Sequence, residues 1–276
     1  MASLIRCESL ARRSDCLLIA FDSPLDGVPH QVRELGVALG LPTALVWRQP
    51  FPGPGLAIRV LCADAPYITP DFDAVQAKLV AECAACSVLP VKPVLLPVRT
   101  VGVQGDGRSY SYLAALTMAH SPHGSWPELL ELAQLLPTKV HQVNRVCFLM
   151  GAPLEESPRE ITPTCLYSTN GFAPLPQLRA ADKVVNDLLL KYGLLRSLAQ
   201  VPVTLFPVGF GLAGARSIGI RAFITRDFMT GRPACPGKDV PLECLDEMVA
   251  QICAIEGVAR VALDITPKPP ATTEWE

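Results

Sequence analysis

The chain has 276 residues, half of them hydrophobic and only 18% charged, which is long and apolar enough for two ordinary domains and excludes a disordered chain. A formal net charge of -2 gives no bulk electrostatic drive toward nucleic acid or a membrane surface, while leaving room for a local anion site. No apolar run reaches transmembrane length and no segment has the pattern of a secretion signal, so a cytosolic protein with reduced thiols is expected.

In chain order, Cys16 to Phe21 reads as one isolated strand. His30 to Leu39 reads as a short helix with Val32, Leu35 and Leu39 inward, closed by Gly40 and Pro42. The prolines and glycines of Pro50 to Gly55 form a stiff connector, because proline fixes φ and glycine admits conformations closed to other residues. An apolar strand is expected at Leu56 to Cys62, then a helix from Asp71 to Cys86 with Phe72, Val75, Leu79 and Cys83 on one side. Strands follow at 94–101 and 109–116. A helix opens at Trp126-Pro127-Glu128 with an apolar face of Leu129, Leu132, Leu135, Leu136 and Val140, and 144–150 is a strand. Residues 151–176 carry five prolines and read as a linker, with room for one short strand at Thr164 to Tyr167. Then come a helix over 177–192, strands at 202–208 and 218–224, a helix over 242–255 and a strand at 258–265.

The second half of this order repeats the first. Leu96-Pro97-Val98 answers Phe206-Pro207-Val208 at an offset of 110, Arg108-Ser109 answers Arg216-Ser217 at 108, and Asn144 to Phe148 answers Ala259 to Leu263 at 115. So long a period with one order of elements implies two related domains, not a solenoid. The expected fold is α+β: two related β-α-β-β-α-β modules, each a small mixed sheet with helices packed on one face. The expected division is an N-terminal segment 1–49, a first module 50–150, a linker 151–176 and a second module 177–276.

Three stretches could carry chemistry. The tail ITPKPPATTEWE has too little flexible filler for a frayed end, so Lys268, Thr272, Thr273, Glu274 and Trp275 are read as held in place. Lysine and threonine suit phosphate or ribose oxygens, and a carboxylate takes hydroxyl donors. Gly102 to Arg108, GVQGDGR, is most simply a tight hairpin. It is neither a dinucleotide fingerprint, since no helix starts there, nor a phosphate loop. Asp106 and Arg108 would pair at the surface unless a ligand covers the turn. In TRDFMTGRP, Asp227 could cap local amides. Of ten cysteines, only Cys83-x-x-Cys86 has metal-like spacing, and without a second pair it reads as packing. His120-x-x-His123 reads as a solvated loop. The four histidines lie away from any glycine elbow, so no catalytic triad and no metal site is expected.

RQPFPGPGLAIRV, LLPVRTVGVQGDGRSYSY, TRDFMTGRPA and DITPKPPATTEWE, in that order, resemble the C-terminal part of glutamine-hydrolysing GMP synthase, closest to the animal type whose dimerisation region carries an additional copy. The resemblance covers residues 24–276, with 32–42 similar to the closing helix of that family's ATP-pyrophosphatase domain. It implies a ligase of purine biosynthesis that uses ATP, Mg2+ and glutamine-derived ammonia to convert XMP to GMP, acting in the cytosol as a dimer. By motif it implies XMP contacts at Asp106, Gln200, Lys268 and Glu274. Lys268 would face phosphate, Asp106 and Glu274 would take hydroxyl or ring donors, and Gln200 would make a two-way amide contact. Arg108, Asp227, Thr272 and Thr273 are supporting candidates. Departures are equally definite: no SGGVDS-type ATP loop, no amidotransferase cysteine with its partners, Gln49 where the family has histidine, and residues 1–23 matching nothing. The expectation is therefore a truncated isoform, paralogue or fragment that binds XMP and dimerises, with no cofactor and no catalysis of its own. The alternative is a non-catalytic homologue that regulates full-length synthase in mixed dimers.

Overall fold

The computed structural model describes residues 28–46, 55–166, 174–225 and 229–276, so the strand expected at Cys16 to Phe21 lies outside the described residues. The chain divides into two units, Met1–Arg48 and Gln49–Glu276. In the first, helix α1 spans Val28–Ala38 and α2 Thr43–Val46. Gly40, at φ +72, ends the first helix as anticipated. Leu39 lies past that end and is 55% exposed, so it does not face inward as expected.

In the second unit four long helices appear close to where the apolar periodicity places them: α3 Phe72–Cys86, α4 Trp126–Lys139, α5 Pro174–Lys191 and α6 Leu242–Cys253. Strands β1 Val91–Gln104, β2 Gly107–Met118 and β3 Val143–Leu149 form the first module, and β4 Val203–Phe206, β5 Arg216–Ile220 and β8 Val258–Asp264 the second. Each is a mixed three-stranded sheet, antiparallel between its first two strands and parallel to its third. A two-stranded ribbon, β6 Phe223–Ile224 with β7 Arg232–Pro233, stands apart. The strand expected at Leu56 to Cys62 is instead a 3-10 turn, Ala57–Arg59, followed by one parallel bridge, Val60 to Leu205. The short strand expected from Thr164 is one antiparallel bridge, Ala63 to Thr164, and residues 167–173 lie outside the described residues.

The two modules join edge to edge into a six-stranded sheet, β1-β2-β3-β8-β5-β4. At the junction Cys147 pairs with Asp264, Phe148 with Leu263 and Leu149 with Ala262. Since Phe148 and Leu263 are counterparts in the repeat, this pairing is isologous: exchanging the modules maps the three pairs onto themselves, as across a homodimer's two-fold axis.

The same register corrects one sequence equivalence. Leu95 pairs with Ala114 and Leu205 with Ile218, while Ala114 pairs with Val146 and Ile218 with Val261. Ile218 therefore stands for Ala114, and Arg216 stands for Tyr112, not for Arg108. The cause is the length of the hairpin, which differs between copies. Leu96 pairs with Leu113, but Phe206 pairs with Ser217, a shorter excursion by six residues.

All four long helices cover one face, where Leu79, Leu132, Leu188 and Met248 meet Leu116, Phe148, Leu205 and Leu263 in a core continuous across both modules. The opposite face buries Leu96, Val98, Leu113, Phe206 and Val208 beneath Leu61 and the C-terminal Trp275. Among the described residues no helix is long and apolar enough to cross a membrane.

Candidate functional site

The C-terminal tail is laid across the first module. The Val101 amide donates to the Trp275 carbonyl at 2.9 Å and the Val103 amide to the Pro270 carbonyl at 2.7 Å, so the tail covers the outer edge of β1 next to the GVQGD hairpin. Two glycines make the close approach possible. A Cβ on Gly102 would stand 2.9 Å from the Pro270 carbonyl oxygen, and one on Gly219 would stand 2.6 Å from the Trp275 indole. Trp275 is 2% exposed, against Phe206 at 5.6 Å between ring centroids. The peptide bonds Lys268–Pro269 and Pro269–Pro270 are cis.

A chain of backbone pairings connects the candidate residues. Gln200 bridges Phe223, β6 pairs with β7, Gly231 bridges Lys268, and Ala271 bridges Gly102. Three residues beyond Val103 comes Asp106, in the two-residue turn closed by Gln104 and Gly107. Gly105 has φ +67 at the first central position, where a type II′ hairpin needs it. The hairpin reading thus holds, with Asp106 and Arg108 both exposed at its tip. Gln200 is buried at 3% exposure. The Lys268 Nζ lies 3.4 Å from the Thr273 hydroxyl, both half-buried. The Thr272 hydroxyl is engaged structurally, donating to the Val101 carbonyl at 3.0 Å and accepting from Arg145 at 3.1 Å. Asp227 lies outside the described residues.

What fixes the tail is a buried ionic triad absent from the sequence reading. Asp264 Oδ2 sits 2.5 Å from Arg145 and 2.9 Å from Arg221, with all three side chains at most 1% exposed. Arg145 also donates to the carbonyls of Val101, Thr272 and Glu274, and its guanidinium lies over the Trp275 ring at 5.2 Å. Arg221 donates to the Thr266 carbonyl at 2.9 Å. One carboxylate therefore holds two arginines that grip both ends of the tail. Burial pushes the Asp264 carboxyl up, but Arg221 and Arg145 outweigh burial and hold it below its usual range. Burial in turn lowers Arg221, against the pull of Asp264. The available signal was a charge inside an apolar strand, in NRVCFL, GIRAF and VALDI.

Comparison with known proteins adds the family. Residues 191–275 match the family described as GMP synthase C terminal domain, a span containing Gln200, Lys268 and Glu274. The chain carries a GMP synthase C-terminal domain. It is 43% identical to the glutamine-hydrolysing GMP synthase of Dictyostelium discoideum, over 89% of this chain and 39% of that protein. It is 35% identical to a probable GMP synthase of Caenorhabditis elegans, over 89% of this chain and 40% of that protein. Against the Streptococcus uberis enzyme the match is 38% over 43% of this chain. The chain thus spans about two fifths of the length of the first two relatives. The first module, with Asp106, lies outside the matched domain and packs against it edge to edge.

No cluster of three histidine, cysteine or carboxylate side chains able to hold a metal occurs among the described residues. His123 Nε2 instead lies 3.4 Å from Asp246 Oδ1, and Cys83 is buried in α3 with its thiol pushed up to about 11 by burial.

Proposed function

We propose that this chain is the XMP-binding and dimerisation portion of a cytosolic glutamine-hydrolysing GMP synthase, a ligase of purine biosynthesis. In this reading Lys268 meets the phosphate, Asp106 and Glu274 take hydroxyl or ring donors, and Gln200 presents its amide. The observation that carries it is the run of backbone pairings linking Gln200, Lys268, the tail and the Asp106 hairpin, four positions spread over 169 residues of chain. Asp106 comes from one module and the other three from the second, which gives the joining of the modules a purpose. The proposed division is 1–49 as the end of an ATP-pyrophosphatase domain, 50–150 and 177–276 as the two modules, and 151–176 between them.

The residues present do not fit ATP and Mg2+. Among the described residues no helix opens from a glycine-rich loop that would cradle phosphates and no carboxylate cluster suits a metal. Adenylylation is therefore assigned to no residue here. Calorimetry of XMP against the chain and its Lys268→Ala variant tests the binding. A loss of about tenfold in the variant is expected for a charge-assisted phosphate contact, and identical weak heats in both would remove the site. Sedimentation over a range of concentrations tests the association, alone and with full-length synthase for mixed dimers. A monomer under all conditions rules it out.

A further inference from the structure

The antiparallel bridge between the two segments that lead into the modules sets two cysteines face to face. The Ala63 amide donates to the Thr164 carbonyl at 3.0 Å, and the Thr164 amide to the Ala63 carbonyl at 2.8 Å. This double exchange makes Ala63 and Thr164 a hydrogen-bonded pair, so the next pair along, Cys62 and Cys165, is a non-hydrogen-bonded one with side chains on a common face. In such a pair the Cα atoms stand about 4.5 Å apart, inside the range a disulfide spans. Both thiols are free, Cys165 exposed and Cys62 half-buried. We propose that Cys62 and Cys165 form a cross-strand disulfide site, closed by exchange with a small-molecule disulfide and joining the two lead-in segments covalently.

The surroundings give each cysteine a role. Cys62 opens onto a cavity of about 350 Å³ lined also by Asp64, Tyr67, Pro97 and Arg99, which provides room for a peptide disulfide beside the thiol. Burial, and after it the Glu276 carboxylate, push the Cys62 thiol up. The exposed Cys165 is the first attacker, because an external disulfide reaches it more readily than the half-buried Cys62. Its thiolate attacks one sulfur of the external disulfide, forming a mixed disulfide and releasing one thiol. Cys62 loses its proton and attacks the Cys165 sulfur, expelling the second thiol, which takes up a proton. Two cysteine thiols are oxidised and one external disulfide is reduced to two thiols. The resolving step quickens as pH rises, because only the thiolate attacks.

Of the remaining cysteines among the described residues, Cys83, Cys147, Cys235 and Cys244 are buried. Cys86 is half-buried and Cys253 exposed, so peptide mapping has to separate glutathione taken up at these two from the expected link. The test is incubation of the folded full chain with oxidised glutathione, alkylation of residual thiols and non-reducing peptide mapping by mass spectrometry. The expected result is a linked pair of peptides containing Cys62 and Cys165 with the loss of two free thiols. Cys62→Ser should leave glutathione on Cys165, and Cys165→Ser should abolish the link. Glutathione retained on Cys165 of the unmodified chain with Cys62 still alkylatable, or links only to other cysteines, would overturn the proposal.

Discussion

Asp264 decides more than any other single residue, because two buried guanidinium groups depend on its charge. Removing one partner of a buried ionic group leaves uncompensated charge in a low dielectric, which costs on the order of 3–5 kcal/mol. Asp264→Asn keeps the volume and removes the charge, so that loss is expected in urea unfolding at neutral pH. The folded carboxyl titrates below its unfolded value of about 3.9. Its contribution is therefore complete above that unfolded value, erodes as pH falls beneath it, and is gone below the folded value. The gap in stability between the two proteins should accordingly narrow as pH falls below about 4. A gap that stays constant in acid would show that the arginines do not rely on this carboxylate.

At the scale of the element, the tail is held by shape as well as by charge. Gly219 lies on β5 directly beneath the indole of Trp275, and an added methyl would stand 2.6 Å from the ring. The ring is walled by Phe206 and Arg145 and cannot slide without leaving its core. Gly219→Ala is expected to cost about 1–3 kcal/mol by overpacking and to weaken XMP binding, because the tail carries two of the four proposed contacts. Denaturation followed by tryptophan fluorescence, together with calorimetry, reads both effects; native stability with a native tail would mean that the sheet yields instead. The helices were legible because a 3.6-residue apolar stripe is local information: Phe72, Val75, Leu79 and Cys83 are all buried as expected. Register was not legible. Pairing Arg108 with Arg216 assumed hairpins of one length, whereas the first hairpin extends its ladder to a two-residue turn at Gly105-Asp106 and the second does not. The run at Leu56 to Cys62 misled for another reason, since its neighbour is Leu205 at the far edge of the sheet and only one bridge forms. As for the site, the proline-rich tail announced itself as held in place, and the GVQGD and TTEWE motifs carried the resemblance. The triad stayed hidden because the partner of Arg145 lies 119 residues away.

For residues 55–276 as a whole, the two modules repeat one strand pairing but are not independent in folding. They share one helix-covered core, and each lends a segment to the other's edge strand. The first module's lead-in donates from Leu61 to Leu205 on β4, and the second module's tail receives Val101 and Val103 from β1. Those borrowed segments also blunt the outer edges of the sheet, which would otherwise invite pairing with another chain. Self-association, if it follows the proposed function, must then use a surface other than strand addition at these covered positions. The interdependence has a measurable form. Heating should unfold this unit in one transition whose calorimetric and van't Hoff enthalpies agree. Deleting residues 266–276 should speed hydrogen exchange at Val101 and Val103, in the module that the deletion does not touch in sequence. It should also lower the melting temperature of both modules together, since the loss uncovers Leu96, Val98 and Phe206 at once. Two separated melting transitions, or exchange at Val101 and Val103 as slow as in the intact chain, would mean that the tail rests on the first module without supporting it.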